Sequence, residues 1–167
     1  VSGRILVACV GNVIRRDDGF GPAVGRRLAD TALPPGVELA EFGIAGVALV
    51  QQLMEGYDGL IIVDAIAADD VPPGTVLEVD PVTADLGHHP WTELRAALGD
   101  VHETTPRRVL ALARSAGCLP RRVRIVGCRP EDVDVGTTLT PRVAAAVETA
   151  ATNVTRIVAA WRAGQVS

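Results

Sequence analysis

Aromatic residues make up only 3% of this chain and its formal charge is -4, so it offers nucleic acid neither stacking rings nor a basic footprint. No apolar run approaches the roughly 20 residues that cross a bilayer, and the first residues carry no signal-peptide pattern. The expectation is a cytoplasmic protein with neither nucleic acid nor membrane as a partner. Cysteine is scarce: Cys9, Cys118 and Cys128 are odd in number, widely spaced and without a C-x-x-C pair. Cys9 and Cys128 fall in apolar runs and read as reduced core residues, while Cys118 sits in a turn, where a nucleophile is the alternative reading. Several catalytic signatures are also missing. Between Gly11 and Gly19 there is no glycine, so the dinucleotide pattern G-x-G-x-x-G fails. There is no G-K-[ST] phosphate loop and no G-x-S-x-G elbow, and Pro106 stands where an H-E-x-x-H motif begun at His102-Glu103 would need its second histidine.

What is present is an ordinary globular composition: 167 residues, 48% hydrophobic and 22% charged, enough for one domain over residues 1–167. Ile5 to Val10 reads as a buried strand, followed by a helix with Phe20, Val24 and Leu28 on one face. Pro34-Pro35-Gly36 breaks the chain before a strand from Val37 to Phe42. A helix through about Glu55 follows, with Val47, Val50 and Met54 expected along one side. Leu60 to Val63 is the most strand-like run, suited to a central parallel strand, and it ends at Asp64. Thr75 to Val79 is expected as an edge strand, and His88-His89-Pro90-Trp91 as a loop before a short helix. Thr105-Pro106 and Thr140-Pro141 are cap-plus-proline starts for two further helices, with a fifth strand from Arg122 to Cys128 between them. Along the last helix Val143, Val147, Val154 and Val158 recur at helical spacing, as core cover. Strands alternating with helices predict a three-layer α/β sandwich with a twisted, mostly parallel five-stranded sheet.

Chemistry concentrates in the stretch from Val10 to Gly21, where Asp17 and Asp18 lie in a strand-to-helix loop. Such loops stand at the carboxyl edge of a parallel sheet, where ligand sites collect. One of the two carboxylates is expected to serve the helix start, since acids satisfy free N–H groups and favour the positive end of the dipole. Asp64 after the central strand and His102 before a helix can converge on the same edge, although each taken alone also fits a turn or structural role. Two carboxylates and an imidazole suit a divalent ion while leaving positions open for water or substrate.

An ordered set of motifs then resembles the [NiFe]-hydrogenase maturation endopeptidases. It runs from Gly11-Asn12 and Asp17-Asp18-Gly19-Phe20-Gly21 through Gly56-Tyr57-Asp58, Ile61-Ile62-Val63-Asp64-Ala65 and Pro73-Gly74-Thr75-Val76. It resumes with His102, Val109-Leu110-Ala111-Leu112-Ala113, Gly117, Gly127, Gly136 and Leu139-Thr140-Pro141. The resemblance implies a cytoplasmic protease that removes a C-terminal extension from the hydrogenase large-subunit precursor after nickel insertion. It implies nickel contacts at Asp18, Asp64 and His102, with His88 and His89 at the wrong spacing. The nickel belongs to the substrate in one version of the mechanism and is a resident hydrolytic metal in another. Asn12, Asp17 and Glu103 are candidates for positioning groups around the site, and Arg15 is expected on an exposed part of the loop with less effect on catalysis. Four features depart from the family pattern: the turn Gly43-Ile44-Ala45-Gly46, Val101 before the histidine, Thr105-Pro106 in place of a common Gly-Leu pair, and a long segment from Asp80 to Val101. Two rival functions are a module that binds a nickel-loaded partner without cutting it and, on fold alone, a nucleoside- or nucleotide-handling enzyme.

Overall fold

The structure is a computed structural model that describes residues 3–44, 46–81 and 105–164. Its centre is a pair of strands buried on both faces. In β1 (Ile5–Val10) every residue is buried: Ile5, Val7 and Cys9 point into one core, and Leu6, Ala8 and Val10 into the other. In β3 (Gly59–Ala65) Ile61 and Val63 join the first core, while Leu60 and Ile62 join the second. This two-sided burial is why both runs are continuously apolar. Each fully buried Ile, Leu or Val contributes roughly 1.5–3 kcal/mol.

Helices cover both faces. The first core is closed by α1 (Phe20–Ala29), through Phe20, Val24 and Leu28, and by a long C-terminal helix over 141–162, through Val143, Val154, Val158 and Trp161. The second is closed by α2 (Gly46–Leu53) and α3 (Pro106–Ser115), through Leu49, Leu53, Val109, Leu110 and Ala113. The C-terminal helix, Pro141–Arg162, is α4 below. Among the described residues, no helix is long and apolar enough to cross a membrane.

The sheet order is β2-β1-β3-β5-β4, with β2 (Val37–Gly43), β4 (Val76–Val79) and β5 (Arg122–Cys128). Four strands are parallel, and β4 runs antiparallel to β5 at the edge. The chain leaves β1 for β2 on one side and returns to β3 on the other, so the order reverses between β1 and β3. An open crevice forms at such a reversal, outside the carboxyl ends of the strands.

The expected face of the second helix needs correction. Val47 and Met54 are exposed, at 39% and 62%, and α2 ends at Leu53 without reaching Glu55. The buried stripe is Leu49, Val50 and Leu53, because the helix enters the fold turned by about one residue from the face that Val47 and Met54 suggested. The cap at Thr105 is as expected, its hydroxyl accepting from the Arg108 N–H at 3.4 Å. At Thr140 the position is right but the hydroxyl makes no helix cap; it is directed to Asp17.

Candidate active site

The loop after β1 is shaped by two close backbone approaches. A Cβ on Gly21 would lie 2.0 Å from the Val10 carbonyl oxygen and 2.5 Å from that of Val63, so only glycine lets the first turn of α1 rest on the ends of β1 and β3. Gly11, at φ +144°, would likewise drive a Cβ to 2.0 Å from the Asp18 carbonyl oxygen. The loop then closes on itself. The Asn12 N–H donates to the Asp18 carbonyl at 3.1 Å, and the Asp18 N–H donates to that of Arg15 at 3.0 Å. The Asn12 side-chain oxygen accepts from the Ile14 N–H at 3.1 Å, a local turn bond.

The two adjacent aspartates have different tasks. Asp17 is completely buried, and its carboxylate accepts four hydrogen bonds from a segment more than a hundred residues away. The donors are the Glu131 and Asp132 N–H groups, both at 2.9 Å, the Thr140 N–H at 2.7 Å and the Thr140 hydroxyl at 2.9 Å. Burial pushes this carboxyl up, but the four donors outweigh it and hold it below its ordinary range. The expectation that one of the pair caps the following helix is therefore corrected. Neither the short 3-10 turn over Arg16–Gly19 nor α1 has a side-chain cap, and Asp17 instead ties the loop to the start of α4. Arg16 adds a second tie, an ion pair with Asp132 at 2.9 Å, and its N–H donates to the Gly136 carbonyl at 2.9 Å.

Asp18 faces the other way, into a cleft that Asp64 also lines. The pairing of Cys9 with Val63 brings the ends of β1 and β3 level, which sets Asp64 beside the loop. Asp64 is only 6% exposed. Burial pushes its carboxyl well above the usual range and the Asp18 charge adds to the rise, against one opposing bond from the Ala65 N–H. Burial also raises Asp18, opposed by the Asn12 N–H and by the Arg15 charge. Two acids that resist ionising together at a crevice form a site for which a cation is the natural complement. Among the described residues neither acid is in a salt bridge, and no group of three or more His, Cys, Asp or Glu side chains is gathered.

His102, His88, His89, Val101 and Glu103 lie outside the described residues. Thr105, three positions after His102, lines the same cleft as the two acids. Arg15, Ile44 and Arg107 line it as well, and sequence reading had given none of them a part in the site. For Arg15 the signal was available, since it lies three residues before Asp18 in a short loop. For Arg107 there was none. Cys118 stands apart: its thiol is directed at the carbonyls of Val50 and Ala113, and burial pushes it above its ordinary value.

The sequence model of the HycI hydrogenase maturation protease family matches residues 22–157. The hydrogenase expression/formation protein HupD of Rhodobacter capsulatus is 35% identical over 162 residues, covering 95% of this chain and 72% of its own length. The hydrogenase 2 maturation protease of Escherichia coli K12 is 33% identical over 149 residues, covering 88% of this chain and 85% of its own. Among solved structures, the hydrogenase maturating endopeptidase HybD from E. coli superposes with a TM-score of 0.73 at 30% identity, over 96% of this chain and 94% of that one. The HycI protease from Thermococcus kodakarensis shares the fold, with a TM-score of 0.69 at 22% identity over 93% of this chain and 92% of its own. With a matching family model over most of its length, a shared fold, and relatives above 30% identity along almost the whole chain, the protein belongs to the hydrogenase maturation protease family.

Proposed function

We propose that this protease removes the C-terminal extension of a [NiFe]-hydrogenase large-subunit precursor once nickel is in place, and that Asp18, Asp64 and His102 contact that nickel as part of the substrate. The observation that carries this reading is that Asp18 and the buried Asp64 line one cleft at the β1–β3 reversal, the Asp18 charge opposing ionisation of Asp64. A divalent cation between them relieves both the repulsion and the cost of burial. What supports His102 is its tether: Thr105, three residues later in the chain, lines the cleft, and three residues of chain reach at most about 10 Å. Two carboxylates and an imidazole, without thiolates, form a weak cage for a free ion but a good face for one already held by another polypeptide.

Hydrolysis then needs a base. A carboxylate oxygen of Asp18 or Asp64 that is not bound to nickel can take the proton from the attacking water and pass it to the leaving amine. The site lies at the edge of the sheet, so a cytoplasmic precursor can present its C-terminal segment to it without opening the core.

The test is incubation with purified large-subunit precursor, nickel-loaded and nickel-free, followed by intact-mass measurement of both polypeptides. Loss of one discrete C-terminal peptide from the loaded precursor alone is the expected result. Stable binding without a mass change would replace the protease by a binding module. Equal cleavage with and without nickel would remove the nickel contact from the reading.

A further inference from the structure

The cleft contains a cationic side chain that contact with a metal does not call for. Arg15 lines it together with Asp18 and Asp64, and its charge is one of the two influences that favour the ionised Asp18. Its Nε donates to the Val133 carbonyl at 3.1 Å, so the guanidinium is held at one corner. Val133 belongs to the segment that the Asp17 carboxylate grips through the Glu131 and Asp132 N–H groups, which makes that corner a firm one. Among the described residues the two Nη nitrogens make no hydrogen bond, and the side chain is exposed. A fixed fork of donors therefore stands near Asp18, in the cleft that Asp64 also lines, without forming a salt bridge to either acid.

Such a group treats two forms of the same metal differently. A hydrated free ion brings only positive charge and outward-facing water protons, and both are repelled by a guanidinium. A metal held in a polypeptide brings acceptor atoms with it: backbone carbonyls, carboxylates and the anionic ligands that already partly cancel its charge. Those acceptors match the free Nη donors.

We propose that Arg15 is a specificity-determining residue that disfavours free divalent ions at Asp18 and Asp64 and favours a metal presented on a polypeptide. The inference rests on the substrate-nickel reading above and explains how an acidic cleft avoids capture by ambient cations. Its geometry is independent of the residues outside the description, since Arg15, Val133, Asp17, Asp18 and Asp64 are all described.

The test compares wild type, Arg15→Gln and Arg15→Lys in two binding measurements: nickel chloride by calorimetry, and the nickel-loaded precursor by a surface-binding assay. Arg15→Gln should bind free nickel about 5- to 10-fold more tightly and the loaded precursor about 10-fold more weakly. Arg15→Lys keeps the charge and loses the fork, so free-nickel affinity should stay within about twofold of wild type while precursor affinity falls. Opposite signs in the two assays are the signature, because a purely structural loss at the Val133 contact weakens both. If Arg15→Gln weakens or leaves unchanged its affinity for free nickel, or binds precursor as wild type does, the inference is overturned. If wild type itself fails to bind the loaded precursor, the functional reading falls, and the role of Arg15 falls with it.

Discussion

Replacing Asp17 by Asn keeps the shape of the side chain and removes its charge and one of its two acceptor oxygens. In the native loop one oxygen accepts from the Glu131 N–H, the Asp132 N–H and the Thr140 hydroxyl, and the other accepts from the Thr140 N–H. An asparagine can keep the first three only by turning its own NH2 toward the Thr140 N–H, donor against donor. A buried donor left unsatisfied costs about 1–3 kcal/mol, and bonds to a charged acceptor are worth about 1 kcal/mol more than neutral ones. The expected loss is therefore about 4–6 kcal/mol, a large part of the roughly 5–15 kcal/mol that holds a domain of ordinary stability. Urea unfolding at pH 7 should show the midpoint lowered by about 2 M with the slope unchanged. The sign of the pH dependence follows from a carboxyl held below its ordinary value. Its stabilisation is complete above the unfolded value near ~3.9 and is lost as pH falls through the lower folded value. The gap between wild type and Asp17→Asn should thus be constant from about pH 5 to 7 and narrow below about pH 4. A gap under about 1 kcal/mol at pH 7, or one indifferent to acid, would refute the role given to this carboxylate.

Asp64 predicts the reverse: its carboxyl is raised by burial and by Asp18, so its contribution is favourable at low pH and lost as pH rises through the folded value. Asp64→Asn should therefore be more stable than wild type at pH 7 in thermal unfolding and yet inactive on precursor; a less stable variant would contradict the burial account. Gly21→Ala must push apart two strand ends whose carbonyl oxygens stand 2.0 and 2.5 Å from the new methyl group, and should lose at least about 3 kcal/mol or fail to fold, as read by circular dichroism and urea unfolding. Alkylating the half-buried thiol at Cys118 should leave precursor processing within about twofold, since burial raises that thiol and its contacts are carbonyls and not a base; abolished processing would restore Cys118 as a nucleophile.

Elements with one strong local signal are legible in the sequence. The runs Ile5 to Val10 and Leu60 to Val63 are buried on both faces, and period and β-branching expose that directly. Thr75 to Val79 was rightly placed at an edge, but its antiparallel direction comes from pairing with β5, which lies later in the chain. The orientation of α2 is not legible because its apolar residues are too evenly distributed for a single stripe to stand out: Val47, Leu49, Val50 and Leu53, with Met54 just past its end, offer more than one face. At the site, the resemblance picked Asp18 out of the adjacent pair, and the structure turns Asp18 to the cleft and Asp17 away from it. No local pattern announces a carboxylate whose partners lie between 114 and 123 positions downstream. Arg15 was read as exposed, correctly, but exposure on a loop and membership of a cleft are the same observation until the opposite wall is known.

That long reach also has a meaning in time. A ribosome adds about 5–20 residues per second, so the Asp17 carboxylate waits roughly 6 to 25 s between its own synthesis and the arrival of residues 131–140. β1, α1 and β2 can pair while the chain is still growing, because their contacts are local. The loop that carries Asp18 cannot be clamped until the segment from Glu131 to Thr140 has emerged. A nascent chain therefore carries the Asp18 loop for seconds before the clamp that completes its cleft can form.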